Sequence, residues 1–144
     1  MNTIDVVNPT SGKLITSLEV DNAQTIQQKY AAARVAQHAW NKTPLQKRIE
    51  ILRNFGKILE KNKEEAAETL TREVGKPISQ SRNEISGTLG RLEFFVAAVE
   101  KTTATQIVLD EKNPSMREEI EHEPLGVIAN ISAWNYPWFV GSNV

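Results

Sequence analysis

The sequence predicts an α/β protein. Short β-prone runs open the chain, four stretches with helical spacing of apolar residues fill its middle, and β-prone runs return after residue 101. The opening runs, Val6-Val7 and Leu14-Ile15, flank the turn formers Asn8-Pro9-Thr10-Ser11-Gly12 and read as a hairpin.

The first helix is expected to start at Asp21, capping with Gln24 at the third helical position, and to carry Ile26, Tyr30, Ala33 and Gln37 up to Asn41. The second start is a capping box in Thr43-Pro44-Leu45-Gln46. Leu45, Ile49, Leu52, Phe55 or Gly56, and Leu59 then give one apolar stripe opposite Gln46, Lys47, Arg48, Arg53 and Lys57. Asn62 is the expected cap of a third helix, with Glu64, Glu65 and Glu68 near its positive end, Arg72 near its negative end, Gly75 as left-handed cap and Pro77 beyond. A fourth helix is predicted from Ser79 to about Glu100, burying Ile85, Leu89, Leu92, Phe95, Val96 and Val99. Its Gly87 and Gly90 fit close packing of a neighbour better than a phosphate loop.

Beyond Lys101, the β-prone Thr102-Thr103-Ala104 and Gln106-Ile107-Val108-Leu109, the turn at Lys112-Asn113-Pro114, and the alternation of Met116, Glu118, Ile120 and His122 predict an antiparallel pair. Residues 126–132 are apolar enough for a strand buried on both faces of a parallel sheet, although the sequence holds no parallel neighbour for it. Pro137 suits the first turn of a final helix that has only seven further residues. These features divide the chain into residues 1–101 (hairpin and helices), 102–123 (second antiparallel pair) and 124–144 (strand and start of a helix).

Composition removes several functions. The 144 residues are 40% hydrophobic and 24% charged, and 17 basic against 18 acidic residues leave a formal charge of −1, with no footprint for nucleic acid or an anionic membrane. No basic leader or membrane-length apolar run is present, so the cytosol is the expected compartment, and the two sequons at Asn41 and Asn130 read as chance. Without cysteine the chain supplies no disulfide, thiolate metal site or cysteine nucleophile, and His38 and His122 read as surface or half-buried structural residues rather than metal ligands. Ser79, Ser81 and Ser86 lack a histidine partner for a hydrolase triad.

The strongest chemical candidate is the turn from Ser132 to Tyr136, because ligands of parallel α/β sheets sit beyond the carboxyl ends of strands. Trp134 offers a flat ring, and Asn135 a neutral donor suited to negative charge developing on a carbonyl oxygen. Position alone also allows the plainer role, since an asparagine before a helix most often caps it.

Asn8-Pro9-Thr10-Ser11-Gly12 resembles an NPxTG opening, and Glu73-Val74-Gly75-Lys76-Pro77 an E-x-GKP helix end. Ala31-Ala32-Ala33 through Ala39-Trp40, Arg48 with Ile51-Leu52-Arg53, and Glu123-Pro124-Leu125-Gly126-Val127-Ile128 leading into Trp134-Asn135-Tyr136-Pro137 complete the set. In order and separation these resemble the aldehyde dehydrogenase superfamily over nearly the whole chain.

The resemblance implies a Rossmann-type aldehyde dehydrogenase fold, with residues 1–101 in the cofactor-binding domain, 102–123 in an oligomerisation hairpin, and a homo-oligomeric assembly. It implies oxidation of an aldehyde to a carboxylic acid with NAD or NADP. A cysteine attacks, the Trp-Asn asparagine and a backbone amide hold the oxyanion, hydride leaves for the cofactor, and a glutamate helps water release the acid. Asn135 matches the asparagine, and Ser132, Ala133 and Trp134 match the segment lining the nicotinamide. Ala133 departs from the proline many members carry, leaving the Trp-Asn pair intact. The cysteine, the glutamate and the glycine-rich cofactor turn would follow Val144, so this chain reads as an amino-terminal portion, inactive alone. A non-catalytic assembly module is the second reading, and a related acyl-phosphate or acyl-CoA reductase the third.

Overall fold

The computed structural model describes residues 2–112 and 115–143. Strands β1 (Thr3–Val7) and β2 (Leu14–Glu19) form the opening hairpin, antiparallel with Ile4 opposite Leu18 and a bulge after Val6. Its turn is closed by Asn8, whose Oδ1 accepts from the Thr10 and Ser11 amides at 2.9 and 3.2 Å, while its carbonyl accepts from the Gly12 amide at 2.8 Å. A short amide side chain that bonds its own backbone is the physical content of the Asn-Pro opening.

Helices α1 (Ala23–Asn41), α2 (Leu45–Lys61), α3 (Lys63–Val74) and α4 (Ile78–Thr102) follow. Their bodies lie where apolar spacing places them, but their starts differ from expectation. Asn22, not Asp21, caps α1: its Oδ1 accepts from the Gln24 and Thr25 amides, and the Thr25 hydroxyl accepts from the Asn22 amide. Asp21 instead pairs with Lys29, and that hydrogen bond, followed by one from Thr25, holds its carboxyl below the usual range. The capping box at Thr43 does not form, because the Thr43 hydroxyl donates back to the Ala39 carbonyl at 3.2 Å and Gln46 reaches Glu100 on α4 at 3.2 Å. Asn62 likewise closes the helix it leaves, donating to the Ile58 carbonyl at 2.8 Å, and α3 begins without a side-chain cap. Helix α4 starts at Ile78 after Pro77 and extends through Thr102. The expected strand character of Thr102-Thr103-Ala104 is absent, since the Thr102 and Thr103 hydroxyls bond back to the Ala98 and Val99 carbonyls at 2.9 and 2.8 Å.

Helix α4 packs on both α2 and α3. The core between them centres on Leu59, Ala67 and Ile85, with Leu70, Ile49 and Val96 also buried. Phe95, expected inside, is exposed at the edge beside Phe94. Polar ties brace the helices: the buried Ser81 hydroxyl meets that of Thr71 at 2.8 Å, and at the surface Arg82 Nε donates to Glu64 at 2.9 Å. The Arg82 guanidinium holds the Glu64 carboxyl below its ordinary value. Helix α1 buries none of its residues, and Ile26, Tyr30 and Val35 remain exposed.

Gly75 ends α3 at φ 80°, as the sequence predicts, and a Cβ there would stand 2.7 Å from Cγ of Pro9. The opening hairpin therefore rests on the end of α3 through a position that tolerates no side chain. Gly75→Ala combines left-handed strain with this clash, so an unfolding free energy lower by more than about 1 kcal/mol is expected in urea denaturation; an unchanged midpoint would place the hairpin elsewhere.

Strands β3 (Gln106–Lys112) and β4 (Ser115–Ile120) form the second antiparallel pair, with Gln106 opposite Ile120 and a bulge between Ile107 and Leu109. Asn113 and Pro114 of the expected turn lie outside the described residues. Residues 126–132, expected as a buried strand, form no strand: among the described residues they have no ladder partner, and Ile128 and Ile131 are exposed. A strand exists only in a hydrogen-bonded ladder, so an apolar run without a partner forms none. Helix α5 (Pro137–Gly141) opens at the expected proline and packs on α4.

Candidate functional site

The segment from Asn130 to Ser142 is a small structure tied at both ends. Asn130 Nδ2 donates to the Gly141 carbonyl at 2.9 Å, the Ser132 hydroxyl donates to the Pro137 carbonyl at 2.8 Å, and the Tyr136 amide donates to the Ala133 carbonyl at 3.3 Å. The half-buried Ser132 and Ala133 thus shape the turn from inside. Trp134 and Asn135 stand at its crest, with Trp134 79% exposed. The sequence-predicted residues are therefore together, in two layers: Ser132 and Ala133 as its frame, Trp134 and Asn135 as its outward face.

Asn135 does not cap α5. Tyr136 occupies the cap position, and no side chain of the turn accepts from the first helical amides. Those amides are met instead from α4: Oε1 of Glu84 accepts from the Trp138 amide at 2.9 Å and the Phe139 amide at 3.3 Å. The other carboxylate oxygen pairs with Lys76 Nζ, which also lies 3.9 Å from the centre of the Tyr136 ring. The Glu84 side chain is wholly buried and that of Lys76 nearly so, at 0% and 8% exposure. Below the turn, Trp138 packs against the Leu59, Ala67 and Ile85 core.

Phe139 lies on Gly87, where a Cβ would come within 3.3 Å of its ring, so the expected close packing at this glycine is observed; Gly90 meets nothing within 4 Å, and the same expectation fails there. The Arg91 guanidinium lies over the half-buried Phe139 ring, 4.6 Å from its centre.

Glu84 and Lys76 are the site residues that sequence reasoning missed. The available signal was the helix face: Ser81, Glu84, Ile85 and Thr88 recur at three- and four-residue steps, which puts an acid on the stripe that buries Ile85. An acid there needs a partner, because an unpaired charge is not buried. Among the described residues no group of three or more histidines, cysteines and acids could hold a metal, and no helix is long and apolar enough to cross a membrane.

The comparisons with known proteins agree with this architecture. Residues 1–143 match the model of the aldehyde dehydrogenase family, and the chain belongs to that family. A 3,6-anhydro-L-galactose dehydrogenase structure is 28% identical, with a TM-score of 0.89. An NADP-dependent enzyme of E. coli is 27% identical at 0.90, and an aldehyde dehydrogenase from Brucella melitensis biovar abortus 2308 is 27% identical at 0.91. Each match covers 99% of this chain and 29% of the other, so the chain spans under a third of the length of these structures. Structures of the same fold at 23% and 24% identity hold NAD in one case and NADP in another.

Proposed function

We propose that this chain forms the amino-terminal portion of an NAD(P)-dependent aldehyde dehydrogenase that oxidises an aldehyde to a carboxylic acid, and that Asn135 binds the substrate oxygen as it becomes negative. The observation that carries this reading is the state of the Asn135 amide, exposed at the crest of an anchored turn whose helix is capped by another residue. A donor free of structural duty and held on a fixed frame meets the requirement for transition-state charge stabilisation.

The same crest fits one edge of a nicotinamide. Trp134 presents an exposed ring beside the half-buried Ser132 and Ala133, and the sequence holds no glycine-rich phosphate turn, so these residues would meet the nicotinamide end of the cofactor. The bound cofactor would supply the hydride acceptor. The chain has no cysteine, so the nucleophile is supplied from outside these 144 residues. Helices α1 to α4 then belong to the cofactor-binding domain, and β3 with β4 to a hairpin of a homo-oligomer.

Exposed surface supports completion by further protein. A folded monomer of 16.1 kDa exposes about 7,400 Å², whereas this chain exposes 11,177 Å². That excess also favours the second reading, an assembly module that pairs through these faces without catalysing anything. The two are separated by assaying the purified chain and the complete protein containing it with a panel of aldehydes and NAD or NADP. Aldehyde-dependent NAD(P)H formation is expected from the complete protein and not from the chain; turnover by the chain alone, or by neither, overturns the dehydrogenase reading as stated.

A further inference from the structure

We infer that Glu84 is a positioning residue for the catalytic turn, reaching from α4 to fix the start of α5 and thereby the place of Asn135. The inference rests on the proposed role of Asn135, and extends it to a side chain on α4 that lies 54 positions before Trp138, the residue whose amide it holds.

The argument begins with α5 itself. Five residues are too few to hold a helix by propagation, and the first amides of any helix have no partner within it. A local cap would normally meet them, yet the residue at that position is Tyr136, and its side chain makes no capping hydrogen bond. One oxygen of Glu84 accepts from both the Trp138 and Phe139 amides, so a carboxylate of the neighbouring helix does the work of the missing cap. Its other oxygen is held by Lys76, whose ammonium is itself covered by the Tyr136 ring. The carboxylate is therefore fixed on both oxygens and reached by no solvent, and the first amide it holds, that of Trp138, lies three residues after Asn135. Neither Lys76 nor Glu84 faces the exposed crest, so neither is a catalytic residue; their effect on chemistry passes through the backbone of α5.

Two measurements on the complete enzyme test this. In Glu84→Ala, hydrogen exchange of the peptide spanning residues 134–142 is expected to accelerate about tenfold or more, while peptides from α2 and α3 keep their protection. kcat is expected to fall at least tenfold with little change in the aldehyde KM, and Glu84→Gln, which keeps an oxygen acceptor for the two amides, is expected to recover most of it. The decisive comparison is a cycle with Asn135→Ala: if Glu84 acts through Asn135, Glu84→Ala costs little further turnover in that background.

Fully additive losses, or unchanged exchange at residues 134–142, overturn the inference. If Glu84→Ala does not fold, Glu84→Gln carries the test, since a neutral acceptor should still give a severalfold increase in exchange confined to that peptide, and an unchanged rate overturns the inference. Should Asn135→Ala leave turnover intact, the oxyanion reading fails by itself, and the exchange measurement still decides whether Glu84 anchors the turn.

Discussion

Asn135→Ala in the complete enzyme is expected to lower kcat by about a hundredfold or more, the loss associated with removing one oxyanion donor, or roughly 2.7–4 kcal/mol of transition-state stabilisation. kcat and kcat/KM should fall together, because the interaction strengthens only as the carbonyl oxygen gains charge. Stability supplies the control. Asn135 is exposed and caps nothing, so the unfolding free energy should change by no more than about 0.5 kcal/mol. A cap residue would show the reverse pattern, losing stability with turnover intact. Asn135→Asp sharpens the distinction, since it preserves size but sets a negative charge beside a negative oxygen; turnover near that of the wild type would exclude oxyanion contact altogether.

The parts of this fold legible in sequence are those fixed within a few residues. The Asn8 turn, the left-handed Gly75, the proline opening α5 and the bodies of four helices all follow from local geometry and apolar spacing. Two of the expected caps, at Thr43 and Asn62, fail for one physical reason. Where only one to three residues separate the end of one helix from the start of the next, a polar side chain can serve either, and both Thr43 and Asn62 turn back to the carbonyls behind them. Residues 126–132 show the opposite limit, since apolar character marks a segment ready to pair but cannot provide the pairing strand.

The site was half legible for a related reason. Trp134 and Asn135 lie adjacent in sequence and announce themselves together, whereas Glu84 acquires its meaning from Lys76, Trp138 and Phe139, which only folding brings to it. The motifs that resemble the family prove to be contact points of one another. Pro9 of the opening turn rests on Gly75, and Lys76, next in sequence, lies beneath Tyr136 of the Trp-Asn-Tyr-Pro turn. Their order along the chain is thus the trace of one packed assembly running from the first hairpin to the candidate site.

That assembly predicts a large stability effect at Lys76. In Lys76→Met the wholly buried Glu84 carboxylate loses its counter-charge, and breaking a buried pair from one side costs about 3–5 kcal/mol. The loss of the ammonium from the Tyr136 ring adds to this, at about 0.5–2 kcal/mol. Set against a total stability of about 5–15 kcal/mol for an ordinary domain, the single variant should unfold at much lower urea. The double variant Lys76→Met/Glu84→Gln removes both charges while leaving an acceptor for the Trp138 and Phe139 amides, so most of the loss should return. Arg82→Gln provides the contrast. It breaks a pair with Glu64 whose partners are both about half exposed, and water replaces what is lost, so a far smaller shift of the urea midpoint than in Lys76→Met is expected. Equal effects at Lys76 and Arg82 would mean that water reaches Glu84 as freely as Glu64. Because the same carboxylate holds the start of α5, such access would also loosen the turn on which Asn135 stands.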